Sequence, residues 1–281
     1  MKATKKQLLV NYYSQSIWDR WCYKEPLTDH EFQKKRIEGQ TDFRNRRFIG
    51  VNLKGVVLQE LILEGAQLQA AKNHRQAYWT GAHLSYVNLQ NVDLTEADLR
   101  EATLYKANLC GTNFTRAVLK GSNFLEAKMI GANLSCALAE YTIFTKARLQ
   151  KSNLSKALMT ASNLSYARLE YSNLTQIVLT DAILEGAKLS GSNLSEAILD
   201  NTNLSRADLS WANLSFADLS KAALAHTRFW QNNLIGTDNK EANLSQAQRH
   251  GASESGTSVN LDFIEVLTGR YSRKKKQAIA K

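Results

Sequence analysis

Proline is nearly missing from this chain: Pro26 is the only one in 281 residues. Each proline removes a backbone donor and is kept out of hydrogen-bonded sheet interiors, so its scarcity suits a continuous backbone ladder. Cysteine is scarce too. Cys22, Cys110 and Cys136 have no metal-ligand spacing, and an odd, sparse set argues for a reducing compartment rather than a disulfide framework. No apolar run approaches the roughly 20 residues of a membrane-spanning helix, and no secretory signal opens the chain. A cytoplasmic protein is therefore expected, with peripheral membrane association as a variant of that reading. The sequons at Asn133, Asn153, Asn193 and Asn213 then count as by-products of repetition. Catalytic groupings are also lacking. His30, His74, His83, His226 and His250 are scattered, with no Ser/His/Asp or Cys/His arrangement and no phosphate-binding glycine loop. An enzyme needs convergent reactive groups in a pocket. The chain is read as non-catalytic, with no cofactor, no metal and no small-molecule substrate.

Charge is present but unevenly spread. The net charge is +10. Residues 1–83 carry 14 Lys and Arg against 8 Asp and Glu, residues 84–248 carry 15 of each, and residues 249–281 carry 7 against 3. The centre is neutral and both ends are basic.

What the centre does have is a period of five. From Leu84 to Leu234 every fifth residue is Leu, Phe or Met, with Ala139 as the exception. A small residue recurs two positions earlier, as in Ala97-Asp98-Leu99 and Ala207-Asp208-Leu209. Neither the ~3.6-residue period of a helix nor the ~2-residue period of a strand keeps such a pattern on one face. The backbone must turn a corner and bury two residues per repeat, which makes the chain a solenoid. The phase starts at Phe43, runs through Phe48, Leu53, Leu58, Leu63 and Leu68, and resumes at Leu84 after sixteen residues. One extra residue must be absorbed there, as a loop or bulge at 71–83. After Leu234 the phase recovers at Leu244.

The flanks do not repeat. Leu8, Leu9, Tyr12, Tyr13, Ile17 and Trp21 return at helical steps over residues 5–21, an amphipathic pattern ended by Pro26. Thr28 and Glu31 have capping-box spacing for a short second helix stopping at Gly39. Residues 1–40 thus form a helical segment that either caps the solenoid or, with Tyr12, Tyr13, Trp18 and Trp21 at an interface, docks on a membrane surface or a partner. Residues 249–258 read as a linker. Asn260 to Gly269 reads as a short capping helix, and Arg273 to Lys276 as a basic tail.

The tandem unit of small residue, Asn or Asp, Leu and two polar residues resembles the pentapeptide repeat family over roughly residues 41–70 and 80–248. The resemblance implies an all-β solenoid at 41–248, a right-handed quadrilateral β-helix of about ten coils with four repeats per coil. The residue before each central Leu tests that coil length when sorted by twenties. One column is Asn at 113, 133, 153, 173, 193, 213 and 233; a second is Val118, Leu138, Leu158, Val178 and Ile198; a third contains Lys128, Arg148, Arg168 and Lys188; the fourth is mixed, including Ile143 and Ile183. A ten-residue period would mix Asn with Ile. Twenty separates the chemistries, so the chain has four unlike faces.

Each face suggests a role. The Asn column, beside a Ser and Thr column, either bonds the corner backbone or forms an amide ladder at the ~4.8 Å rung spacing. Lys128, Arg148, Arg168 and Lys188 stack like charges at about 5 Å, making them candidate anion-binding residues, with Glu170 near enough to offset part of the repulsion. Tyr171 and Trp211 are placed on this basic face, where cation–π or base stacking is available to them. Val118, Leu138, Leu158, Val178 and Ile198, with Tyr141 beside them, form an outward apolar stripe of about 20 Å, the mark of a protein-binding or homodimer surface. Ala139 leaves a gap in the core that Phe144 or Met159 is expected to fill. The chain is read as a protein-binding scaffold or regulator acting through its faces and ends. The alternative is association of the basic ends with nucleic acid or anionic lipid. The resemblance also includes DNA mimics that act on type II topoisomerases, but their strongly acidic surface is not matched by this neutral body. Many members of the family are cyanobacterial.

Overall fold

A computed structural model describes residues 26–51, 53, 61–68 and 76–250, with only the backbone described for 248–250. The helical pattern at 5–21, with Tyr12, Tyr13, Trp18 and Trp21, the helix expected at 260–269 and the basic tail lie outside the described residues.

One repeat explains the whole body. In residues 112–116, Thr112 and Phe114 point inward and are fully buried, Asn113 points outward between them, and Thr115 and Arg116 turn the corner. The Asn113 N–H donates to Val92 O of the preceding coil at 2.9 Å, while those of Phe114 and Arg116 donate to Asn133 O and Ser135 O of the next coil at 2.6 and 3.0 Å. The Ala117 N–H closes the turn on Phe114 O at 2.9 Å. The fifth donor, the Thr115 N–H, is taken by the Asn113 side-chain oxygen at 3.1 Å. Buried backbone donors are rarely left unpaired, and repeats with an outward Asn or Asp meet that requirement in this way.

From Tyr78 onward the outward residues pair in parallel with the residue twenty positions on, as in Asn113 with Asn133, Val118 with Leu138, Asn123 with Ile143 and Lys128 with Arg148. Four repeats therefore make one coil, and the cross-section is a quadrilateral. At the C-terminal side the rungs lengthen into a short parallel pair, β1 (Arg228–Trp230) and β2 (Gln248–His250). Between Gln67 and Asn88, and between Ile62 and His83, the register is one residue longer. Ala77 and Trp79 are already buried in phase with Leu84.

The interior is a column of leucines and phenylalanines with essentially no exposure. Fully burying one such side chain contributes about 1.5–3 kcal/mol before entropy. Phe124 and Phe144, one coil apart, stack at 5.0 Å with their planes 6° apart, and Phe114 meets Phe124 edge-on at 6.0 Å. Ala139, Phe144 and Met159 are all fully buried. Where the small inward residue is Ser or Thr, its hydroxyl in most repeats donates to a core carbonyl, as Thr112 does to Leu89 O at 2.7 Å and Thr202 to Leu179 O at 2.8 Å; that of the buried Ser162 does not.

The start of the array is covered. Helix α1 (Asp29–Ile37) begins at Thr28 with a complete capping box to Glu31, and the chain leaves it through Gly39 at φ +81°. Its buried Phe32 packs on Phe43 and Phe48 at 5.2 and 5.3 Å, and Leu27 pairs with Phe48 as an added rung. Solenoid ends expose an edge and an open core; here Phe32 of α1 lies over the core phenylalanines and Leu27 pairs with one rung of the edge.

Corners carry the strain. The second corner residue has φ near +57° throughout, for example Arg116, Tyr141, Lys156, Tyr171 and Trp211. This left-handed conformation costs an L-residue about 1–2 kcal/mol. Among the described residues, no non-glycine residue with positive φ is Val, Ile or Thr.

Candidate functional site

The asparagine face shows what the outward position is for. In Asn133, Asn153, Asn173, Asn193 and Asn213 the side-chain oxygen accepts the backbone N–H two residues on, each at 3.1 Å. Amide-to-amide rungs are added between Asn173 and Asn153 at 3.3 Å and between Asn213 and Asn193 at 3.2 Å. The Asn133 amide instead donates to Thr115 Oγ1 at 2.9 Å. Corner closure is uniform and the ladder is partial. Aspartate does the same work: Asp98, Asp208 and Asp238 accept the N–H of Arg100, Ser210 and Lys240, each at 3.1 Å.

Two columns abandon this arrangement over at least four consecutive coils. Val118, Leu138, Leu158, Val178 and Ile198 are paired rung to rung, with Asp98 before them and Asp218 after. They have no oxygen to offer, and the N–H groups of Lys120, Glu140, Thr160, Thr180 and Asp200 have no partner among the described residues. Leu138 and Leu158 are each 38% exposed and Ile198 42%, whereas Val118 and Val178 are half-buried. Tyr141 stands exposed at the adjoining corner, with the Lys120 ammonium 5.7 Å from its ring. Ile143 and Ile183 lie exposed around that corner, which widens the stripe.

The second departure lies on the opposite face. Lys128, Arg148, Arg168 and Lys188 are exposed and paired in that order, between Asn108 and Asp208. Arg168 is held by Glu170 at 3.0 Å; Lys128, Arg148 and Lys188 are in no ion pair among the described residues. Tyr171 and Trp211, expected on this face, occupy its corner with the asparagine face, because both are positive-φ residues. Both stand two residues after a buried leucine, Leu169 and Leu209, the position in the five-residue phase that carries positive φ.

An open cleft of about 660 Å³ lies across the C-terminal part of the basic face, lined by Glu170, Gly186, Lys188, Ser190, Arg206, Asp208, His226 and Arg228. Arg206 reaches Glu185 at 3.4 Å, and Asp208 accepts from the Ser210 hydroxyl at 2.6 Å. Among the described residues, no group of three or more His, Cys, Asp or Glu could hold a metal ion. Cys110 and Cys136 are free thiols.

The chain matches the sequence family described as Pentapeptide repeats in eight copies, over residues 40–72, 73–100, 97–135, 142–181, 182–220 and 212–248. No curated protein matches it. Among solved structures it is similar to HetL, a pentapeptide repeat protein involved in heterocyst differentiation regulation from the cyanobacterium Nostoc sp. strain PCC 7120. The identity is 29%, covering 83% of this chain and all of HetL, with a TM-score of 0.58. It is also similar to the pentapeptide repeat protein Rfr23 from the cyanobacterium Cyanothece 51142, at 26% identity over 46% of this chain and 91% of that one, with a TM-score of 0.28. QnrB1, a plasmid-mediated fluoroquinolone resistance protein, is 19% identical over 58% of this chain and 95% of its own, with a TM-score of 0.33.

Proposed function

The chain belongs to the pentapeptide repeat family, whose members form right-handed quadrilateral β-helices, and from that premise we propose that it is a non-catalytic regulator that binds a protein through its apolar face. The observation that carries this reading is the column Val118, Leu138, Leu158, Val178 and Ile198. Asn or Asp at those positions would close the corner N–H, a bond worth about 0.5–1.5 kcal/mol. Five consecutive coils give up that bond and expose hydrocarbon instead. Neither change helps an isolated rod in water. Both make sense when a partner covers the stripe, removing apolar area from water and shielding or pairing the free donors. A regulatory role is further supported by the likeness to HetL, itself involved in regulating heterocyst differentiation.

The test compares the full chain with a variant carrying Leu138→Glu and Leu158→Glu, by affinity capture from the native host and by sedimentation of the purified proteins. The charges sit on a solvent-facing column and leave the leucine core intact. Loss of a captured partner, or conversion of a dimer to a monomer, supports the reading. Identical partners and an identical oligomer size for both chains overturn it.

A further inference from the structure

The cleft on the basic face has features that the apolar-face reading neither uses nor requires. Its first feature is a row of open donors. Because Lys and Arg replace Asn in this column, the N–H groups of Ile130, Gln150, Glu170 and Ser190 have no partner among the described residues. Two of them, on Glu170 and Ser190, belong to residues lining the cleft. On the adjoining asparagine face the equivalent donors are closed by side-chain oxygens.

Cationic side chains flank these donors. Lys188 and Arg228 both line the cleft and neither is in an ion pair among the described residues. Arg206 and the His226 ring stand along the other rim. Oriented N–H groups beside unpaired cations are the usual means of holding a phosphate.

The third feature is room bordered by rings. Gly186 and Gly191 stand at the corners on either side of the rung that carries Lys188, both at positive φ. A Cβ on Gly186 would come within 2.6 Å of the Tyr166 ring, and one on Gly191 within 2.7 Å of the Tyr171 ring. The glycines thus let each tyrosine lie down over the next coil at either side of the cleft. Tyr171 remains 69% exposed, and Trp211, further along the same corner, 61%. Flat exposed rings beside a phosphate-sized set of donors form a stacking platform next to an anion site.

We propose that this cleft binds a nucleotide unit, with its phosphate on Lys188 and the N–H groups of Glu170 and Ser190, with Arg228 two coils beyond Lys188 adding positive charge, and with its base against Tyr171 and Trp211. Asp208, in the floor between Lys188 and Arg228, disfavours a high density of negative charge and leaves a carboxylate oxygen to accept from a sugar hydroxyl or a base amino group. The same unit is offered by a free nucleotide and by a single strand.

The probe is a fluorescently labelled ten-nucleotide oligo-dT, followed by anisotropy with the full-length chain at moderate salt. Competitors are thymidine monophosphate, inorganic phosphate and a duplex of equal length. The basic ends are present in every variant, so differences between variants report the cleft. The expected result is binding that weakens at least tenfold in Lys188→Gln/Arg228→Gln and about tenfold in Tyr171→Ala/Trp211→Ala. It stays unchanged in Leu138→Glu/Leu158→Glu, which also keeps this result separable from failure of the apolar-face reading. Competition by thymidine monophosphate at a concentration comparable to that of oligo-dT identifies a free nucleotide as the source; competition by the strand alone identifies single-stranded nucleic acid. The proposal is overturned if cleft variants with unchanged circular dichroism and melting bind as the parent does. It is equally overturned if oligo-dT does not bind, if the duplex competes as well as the single strand, or if inorganic phosphate competes as well as the nucleotide.

Discussion

Lys156 tests whether the corner conformation governs which residues this array accepts. It sits at φ +60°, its N–H donates to Thr175 O at 3.0 Å, and the turn beneath it is closed by Ala157 N–H to Leu154 O at 3.1 Å. Its side chain is exposed, so a substitution changes the backbone preference with little loss of packing. A left-handed conformation costs an L-residue about 1–2 kcal/mol. Lys156→Gly removes that cost, while the freer unfolded chain takes back about 0.4–1 kcal/mol. The net expectation is a change between neutral and about 1.5 kcal/mol stabilising. Lys156→Val acts in the opposite sense, because a β-branched residue at positive φ is a true outlier. The two variants should differ by about 2 kcal/mol or more. Since solenoids open by neighbouring repeats, the assay is hydrogen-exchange protection of the flanking Ala157 and Leu158 amides, which reports local opening. Lys128→Val is the control. Lys128 occupies an extended, outward position, where β-branching is favoured, and little loss is expected. Equal protection in Lys156→Gly and Lys156→Val, or equal damage from Lys128→Val and Lys156→Val, would refute the reasoning.

Two further outcomes follow from the core and from the edge of the apolar stripe. Ala139 is fully buried with Phe144 and Met159, so Ala139→Leu should overpack the core and cost about 1–3 kcal/mol; a raised denaturation midpoint would mean that the space beside it is empty. The carboxyl of Asp98 is held below its ordinary value of 3.8, chiefly by the Arg100 guanidinium, whose Nε lies 2.9 Å away, and also by the Arg100 N–H. A depressed folded-state pKa gives stability that is present above the unfolded value and lost as pH falls through the folded one. Asp98→Asn keeps a side-chain oxygen for the corner N–H but removes the charge. Parent and variant should therefore differ in melting temperature at pH 7, and the gap should close in acid below pH 3.8.

How much of this was legible in the sequence depends on whether a signal was local or was spaced by twenty. The leucine period needed only neighbouring residues, and it specified a corner per repeat. The faces needed sorting by twenties, and the bridges from Val118 to Ile198 and from Lys128 to Lys188 follow that sorting. The corner was harder because its residues share no chemistry: Tyr141, Lys146, Ala161 and Trp211 have only positive φ in common. Its signal is an absence, that of Val, Ile and Thr. Sorting the corner positions by twenties also places Tyr166 before Gly186, Tyr171 before Gly191 and Phe216 before Gly236. In each pair a Cβ on the glycine would meet the preceding ring at 2.7 Å or less. That pattern was present in the sequence and becomes meaningful only once φ identifies the glycine as the floor under a ring.

The asparagine column reverses the ordinary reading of a conspicuous feature. A long run of one residue type on one face invites a binding surface, yet each Asn113-type oxygen is spent on the N–H two residues on. Asparagine is what this backbone takes when nothing else is asked of the position, because it closes a donor that five-residue geometry leaves open. The informative positions are therefore the interruptions. Both interruptions, apolar on one face and basic on the opposite one, begin and end at Asn or Asp on the same column, and both leave open donors in a row at the ~4.8 Å rung spacing. A solenoid of this kind has two independent ways to depart from its default, and this chain uses them on opposite sides of the same coils. Two ligands bound at those faces would be separated by the width of the rod and would not compete. If saturating oligo-dT blocks capture of the apolar-face partner, the two faces are not the separate sites that the rung geometry implies.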